Sequence, residues 1–411
     1  MKFLTDEEIK LFIDNLNLDV RKSKELNIRW IDQKCTIDVL CFVADCILNY
    51  CTQNSKDQFT RKEVQLFQYS NDNVKMLFKK PGTDLSMSES EYDKFFLQPM
   101  ELFAFAGILS KTKRGITNVY KLESEDVLRY ISNNERCTLK FLVNYIYKAL
   151  KDSGLFDVFN KFLTNQTTLF YIKMRKEFFD FTYKYTNIKG KYEPGRIFTK
   201  VLNPLAFIND SKGTNDGRVS QDIISYDELF YNRDNFRDIY LEKPKGMTRQ
   251  EFLLKNNIKP NPHVYKYQSA KAKRFIKDYN EKYRDNKSEV FENSEMEKTA
   301  TQIHHIFAEH EFPQISAYYE NLIALTPNQH YLKAHPNNRT QEINPEYQYV
   351  CLVAKAAIIE ENLNQSVKPK IYEFGKFLFV LKTGLDDDSY EMVEENDYNG
   401  ILTKLAISYN K

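Results

Sequence analysis

Residues 299–338 read TATQIHHIFAEHEFPQISAYYENLIALTPNQHYLKAHPNN. The chain has six histidines, and five of them lie here: His304, His305, His310, His330 and His335. Only His263 lies elsewhere. Histidine is the commonest metal ligand and titrates near neutral pH, so this clustering points to chemistry. ATQIHHIF, with β-branched and aromatic residues around the His pair, predicts a strand. A loop containing Pro313 follows, and NLIAL predicts a second short strand. Thr326 is then an N-cap, Pro327 fills the first helical position and Gln329 completes a capping box. The helix is expected to run to about Ala334 and to stop at Pro336.

Strand, loop, strand, helix is a ββα unit. Adjacent residues on a strand point to opposite faces. One of the His pair can therefore face a metal and the other a substrate water. A metal held by two histidines keeps positions open for a phosphate oxygen. A neutral histidine nearby can take a proton from water, and the metal offsets the charge growing on the phosphate.

H-H-I-F, then E-N-L-I-x-L, then x-x-x-Q-H resembles the HNH, or ββα-metal, nuclease motif, over about 40 residues. The resemblance implies His305 as general base, His304 and His330 as metal ligands, and Asn321 as the brace that orients His305. It also implies one divalent ion per site, with Mg expected and Mn, Ni or Co possible. The zinc-binding cysteines that many members carry around the last histidine are missing from LTPNQH. Some members supply a further ligand four residues after the last histidine, and that position here is Ala334. His335, five residues on, falls about 140° away around an ideal α-helix. It is expected to be a helix-end or phosphate contact, with a ligand role as the alternative; His310 is expected to be non-functional.

Outward from this module, the acidic stretch SEVFENSEMEK is the expected linker, preceded by the basic helix KYQSAKAKRFIKDYNEKYR. KPNPH at 259–263 reads as a break. Residues 186–250 predict short strands and loops rich in Gly, Asn, Asp and Arg. Such loops suit base-edge readout, since Arg pairs with guanine and Asn with adenine; they also suit plain turns. Arg196, Lys200, Arg218, Arg233 and Arg237 are the candidate DNA contacts there. Residues 125–185 and 1–56 read as mainly helical. Thr60 and Glu63 form a capping box, Ser88 with Glu91 opens another helix, and Pro99 is expected in the first turn of the next. The alternating strand ITNVYKL follows a basic turn at Lys111–Gly115. Helices followed by a short β element with a basic tip suggest a winged helix, with Lys111, Lys113 and Arg114 as phosphate contacts; the alternative is an ordinary solvated hairpin.

The expected fold is thus α+β. A mainly helical DNA-binding domain with a winged helix spans 1–125, a helical and loop-rich DNA-recognition region spans 126–285, and the nuclease domain spans 286–411. Net charge is only +2, but basic residues gather in Lys173–Lys200 and Lys266–Lys287, and local basic surface binds phosphate whatever the total. The six cysteines show no C-x-x-C pair and read as reduced core thiols. No apolar run approaches the roughly 18 residues of a membrane helix, and the N-terminus lacks a signal-peptide pattern, so a cytoplasmic prokaryotic location is expected. A nuclease module behind nearly 300 other residues resembles, in plan, type II restriction endonucleases of the HNH class acting on double-stranded DNA, with a homodimer if both strands are cut. The alternatives are a homing, phage-defence or repair nuclease, and a winged-helix regulator that binds DNA without cutting it.

Overall fold

The computed structural model describes residues 3–78, 83, 89–231, 262–291, 299–335 and 342–410. The fold is α+β and mostly helical, with small antiparallel sheets. The chain forms two compact units, 1–258 and 259–411.

The first unit runs α1 (Asp6–Asp14), α2 (Ile37–Asn54), β1 (Gln58–Thr60), α3 (Arg61–Leu66), α4 (Gln68–Phe78), α5 (Glu89–Phe105), β2 (Leu109–Arg114) and β3 (Thr117–Leu122). It continues through α6 (Glu125–Asn133), α7 (Glu135–Asp152), α8 (Phe156–Thr164), α9 (Thr168–Tyr185) and α10 (Glu193–Ile208) to a hairpin, β4 (Lys212–Asn215) and β5 (Arg218–Ile223). α2 is apolar nearly all round, from Ile37 to Leu48, and is the central helix against which α5, α6 and α7 pack. The expected Thr60–Glu63 capping box is present. The sheet order is β1-β3-β2. Gly115, at φ +62°, turns β2 into β3 with Arg114 opposite Thr117; glycine suits the left-handed first position of such a tight turn.

Three expectations for this unit change. α5 is one helix, with Pro99 inside it and not at the start of a second helix. Residues 193–208 form a full helix instead of short strands and loops, because Ile197, Phe198, Val201, Leu202 and Leu205 make one buried stripe at helical spacing. No boundary falls at 125/126, since α6 and α7 both pack on α2. Of the turn at 81–84 only Thr83 is described, and of the break at 259–263 only Pro262 and His263, which open a helix; the Ser88 cap, Arg233 and Arg237 lie outside the described residues.

The second unit begins with α11 (Pro262–Tyr283), followed by β6 (Gln302–His305), β7 (Leu322–Leu325), a π-helical segment (Gln329–Ala334), α12 (Pro345–Asn364), α13 (Phe374–Leu385) and α14 (Tyr398–Ser408). The basic helix α11 is expected before the domain boundary at 286. It belongs to this unit instead: Ala272 and Ile276 share a core with Leu322, Ile323 and Leu325 of β7 and with Phe377 and Leu381 of α13. Glu289, which the sequence places in a linker, is buried; it pairs with Lys355 at 2.5 Å and with Arg284. Composition marks a solvated linker where a buried ion pair ties α11 to α12. The six cysteines are free. Among the described residues no helix is long and apolar enough to cross a membrane.

Candidate metal centre

β6 and β7 are antiparallel, with His304 opposite Ile323 and His305 opposite Leu322. The alternation of the strand sends the two imidazoles to opposite sides, and both are buried. The long connection from β6 to β7 is held by one side chain. Asn321, fully buried, accepts from the Phe307 N–H at 2.8 Å and donates to the carbonyls of Phe307 at 3.1 Å and Ile315 at 3.3 Å. Its own carbonyl accepts from the Ile306 N–H. These bonds tie the two ends of the loop together.

After β7 the expected capping box forms: Gln329 N–H donates to Thr326 Oγ1 at 3.2 Å, and Thr326 N–H to Gln329 Oε1 at 3.0 Å. Gln329 also donates to the Val290 carbonyl, which fixes the start of the helix. The turn that follows is π-helical. Hydrogen bonds in a π-helix run i→i+5, so residues five apart lie one above the other, as residues four apart do in an α-helix. His335 closes this wider turn in extended backbone, its ring 4.8 Å from that of His330, so the 140° separation expected of an α-helix does not arise.

His304, His330 and His335 each offer a ring nitrogen within 4.8 Å of the others, a set able to hold a metal ion. Their ring centroids lie 5.2, 4.9 and 4.8 Å apart. His335 Nδ1 donates to the Glu342 carbonyl at 2.9 Å, so its Nε2 carries the free lone pair. His330 Nδ1 is buried without a hydrogen-bond partner. Burial, then the neighbouring His335, and then the charge of Lys273 push His330 down to about 4. Burial, reinforced by the other three imidazoles and Lys273, holds His304 well below the ordinary histidine range. Metal binding requires neutral imidazoles, and a buried orphan nitrogen calls for a partner. The donor set therefore fits a divalent ion. Imidazole donors suit Ni or Zn, whereas Mg prefers oxygen.

On the other side of β6, His305 Nε2 lies 2.9 Å from the Ser316 carbonyl and 3.1 Å from Ser269 Oγ of α11. A carbonyl can only accept, so Nε2 carries the proton and Nδ1 keeps its lone pair. Glu309 Oε2 lies 3.9 Å from Nδ1 and accepts from Ser269 Oγ at 3.2 Å. Burial, followed by Lys273, lowers His305 to about 4, against the opposing pull of the Ser316 hydrogen bond. Ser, His and Glu here do not form a nucleophilic triad. The nitrogen facing Ser269 is the protonated one and cannot take the hydroxyl proton, and Ser269 is itself buried.

His304, His305, Asn321 and His330 are thus brought together, and His335 joins them. His310 is exposed beside Glu311. Of the expected DNA contacts, Lys113, Arg114, Arg196 and Arg218 are exposed, and Lys200 is half-buried on α10. Lys111 departs from expectation. It lies within β2, not in a turn, and its nearly buried ammonium pairs with Glu101 at 2.9 Å and donates to the Asn27 carbonyl. That ion pair takes it out of the set facing phosphate. Sequence reasoning misses Ser269, Lys273, Glu309 and Ser316. The spacing of Ser269 and Lys273, four apart on a basic helix, is the available signal, but the composition of the chain sets that helix outside the module. No family model, curated protein or solved structure matches this chain.

Proposed function

We propose that this protein is a metal-dependent nuclease of the ββα-metal type. Within that class it is a site-specific endonuclease for double-stranded DNA of the type II restriction kind. The observation that carries the reading is the division of labour across β6. Three imidazoles converge on one side, and a fourth, His305, is held on the other in a single tautomer with Nδ1 free.

His304, His330 and His335 would hold the ion. When bound, it would supply positive charge to offset the negative charge developing on the phosphate and the leaving oxygen. His305 Nδ1 accepts a proton from the attacking water, while Ser316 keeps Nε2–H fixed. The water oxygen bonds to phosphorus, the bond from phosphorus to the departing sugar oxygen breaks, and that oxygen is protonated from solvent. Asn321 keeps the loop carrying Ser316 in register with His305.

The first unit supplies the DNA-binding surface in this reading. Lys113 and Arg114, at the tip of β2, are suited to backbone phosphates. The order of helices, β1, helices, β2 and β3 matches a winged helix. However, α5, the helix such a fold lays in the groove, is buried from Phe95 to Phe103 except Leu97, which is half-buried. Base readout therefore falls to loops and to exposed arginines such as Arg218. Cutting both strands of a palindrome calls for a homodimer.

The test is incubation of the pure protein with unmethylated phage DNA and Mg, Mn, Co, Ni or Zn, with EDTA as control, resolved on a gel. Discrete metal-dependent fragments are expected, stronger with Ni than with Mg. Intact DNA under every metal, with DNA binding retained, would favour the non-cutting regulator.

A further inference from the structure

α11 lies against β6, β7 and the loop between them. Its Ser269 hydroxyl reaches both His305 Nε2 and Glu309 Oε2. Residues four apart on a helix occupy the same side, one turn on. The residue one turn on is Lys273, half-buried. It stands one turn from the hydroxyl that touches His305 and Glu309, on the same side of α11. Burial disfavours its ammonium, and the Glu309 carboxylate opposes that effect.

We infer that Lys273 is a catalytic residue: its ammonium contacts a non-bridging oxygen of the scissile phosphodiester and stabilises the charge that grows there as water adds to phosphorus. Glu309 is its counter-ion at rest. Ser269 is a positioning residue that ties α11 to the His305 loop, so that Lys273 and His305 reach the same phosphate. The inference rests on the nuclease reading, since it needs a phosphodiester in the site. A fixed cation at this position acts on the transition state more than on the ground state, because phosphate charge is drawn onto its outer oxygens as the new bond forms. It also makes the second unit a three-sided site. The metal ligands come from β6 and the π turn, the base from the other side of β6, and the phosphate cation from α11.

The experiment compares full-length wild type, Lys273→Met and Lys273→Arg. It measures single-turnover DNA cleavage, DNA affinity by gel shift, and Ni or Zn binding by calorimetry. Lys273→Met is expected to lower the cleavage rate by about 10²–10³-fold. Its DNA affinity should fall by no more than about tenfold, the loss of one phosphate contact among several, with its metal stoichiometry unchanged. Lys273→Arg keeps the charge and should retain cleavage within about tenfold of wild type. If wild type cleaves and Lys273→Met cleaves within twofold of it, Lys273 has no catalytic role and the nuclease reading stands. Lys273 also loses its assigned role if Lys273→Arg is as slow as Lys273→Met, because charge is then not what matters. If wild type binds metal but cuts no DNA, the nuclease reading itself falls, and this inference falls with it.

Discussion

Two hairpins in this molecule treat buried polar groups in opposite ways. In the first unit β2 and β3 turn on Gly115 and carry Lys113 and Arg114 into solvent. The polar groups beneath that hairpin are satisfied: Lys111 and Tyr120 both reach the Glu101 carboxylate. In the second unit β6 and β7 are joined by the long loop that Asn321 braces, and the strands bury imidazoles. One nitrogen there, His330 Nδ1, has no partner. A buried orphan is not diagnostic by itself, since Ser70 and Tyr390 also have one. What separates the two hairpins is convergence. The orphan in the second unit points to a chemistry because two further imidazoles meet it. The buried lysine of the first is a structural ion pair because its partners are already present.

The largest expected effect breaks the comparison on its functional side. His305→Ala should lower DNA cleavage by about 10³–10⁴-fold while leaving DNA affinity unchanged; cleavage at the wild-type rate would sink the general-base assignment. On the structural side, Lys111→Met strands the Glu101 carboxylate. It should destabilise the protein by about 3 kcal/mol in chemical denaturation without altering the salt dependence of DNA binding. A loss of salt dependence instead would return Lys111 to the phosphate-binding set.

A third test uses pH. Burial raises Glu320 to about 7, opposed by the Glu373 N–H that it accepts. A carboxyl raised on folding contributes stability that is full below its unfolded value and lost as pH climbs through the folded value. The second unit should therefore weaken between about pH 4.5 and 7. Glu320→Gln removes that loss, a gain on the order of 2–3 kcal/mol at pH 8 and little at pH 4. Equal effects at both pH values would refute the titration. The smallest effect belongs to the exposed tip. Lys113→Ala with Arg114→Ala should change stability by less than about 0.5 kcal/mol. If each cation meets one phosphate, the slope of log affinity against log salt falls by about 0.9 per residue. An unchanged slope would make the hairpin ordinary solvated surface.

What can be read from the sequence follows how local the determinant is. The order of β6, loop, β7 and helix, the Thr326–Gln329 cap and the alternation of His304 and His305 all rest on neighbours within a few residues, and all are present. Helix α10 is hidden because Gly195, Asn203 and Pro204 look like loop punctuation, although the apolar stripe from Ile197 to Leu205 runs beneath them. Tertiary burial of that stripe outweighs one lost helical hydrogen bond. The place of α11 is hidden because Glu289 resembles a solvated acid, and only its distant partner Lys355 makes it a core residue. The convergence of His335 on His304 and His330 cannot be read because helix width is not written in residue types.

That width has a consequence for how such a site tolerates change. The π turn brings two imidazoles five residues apart to one side, where they could face one ion as two residues four apart do on an α-turn. A one-residue insertion between the ligands can therefore be absorbed by widening the helix, with the donor set kept and the spelling of the motif changed. A strict pattern of spacing, applied to a chain like this one, would count two ligands and pass over the third.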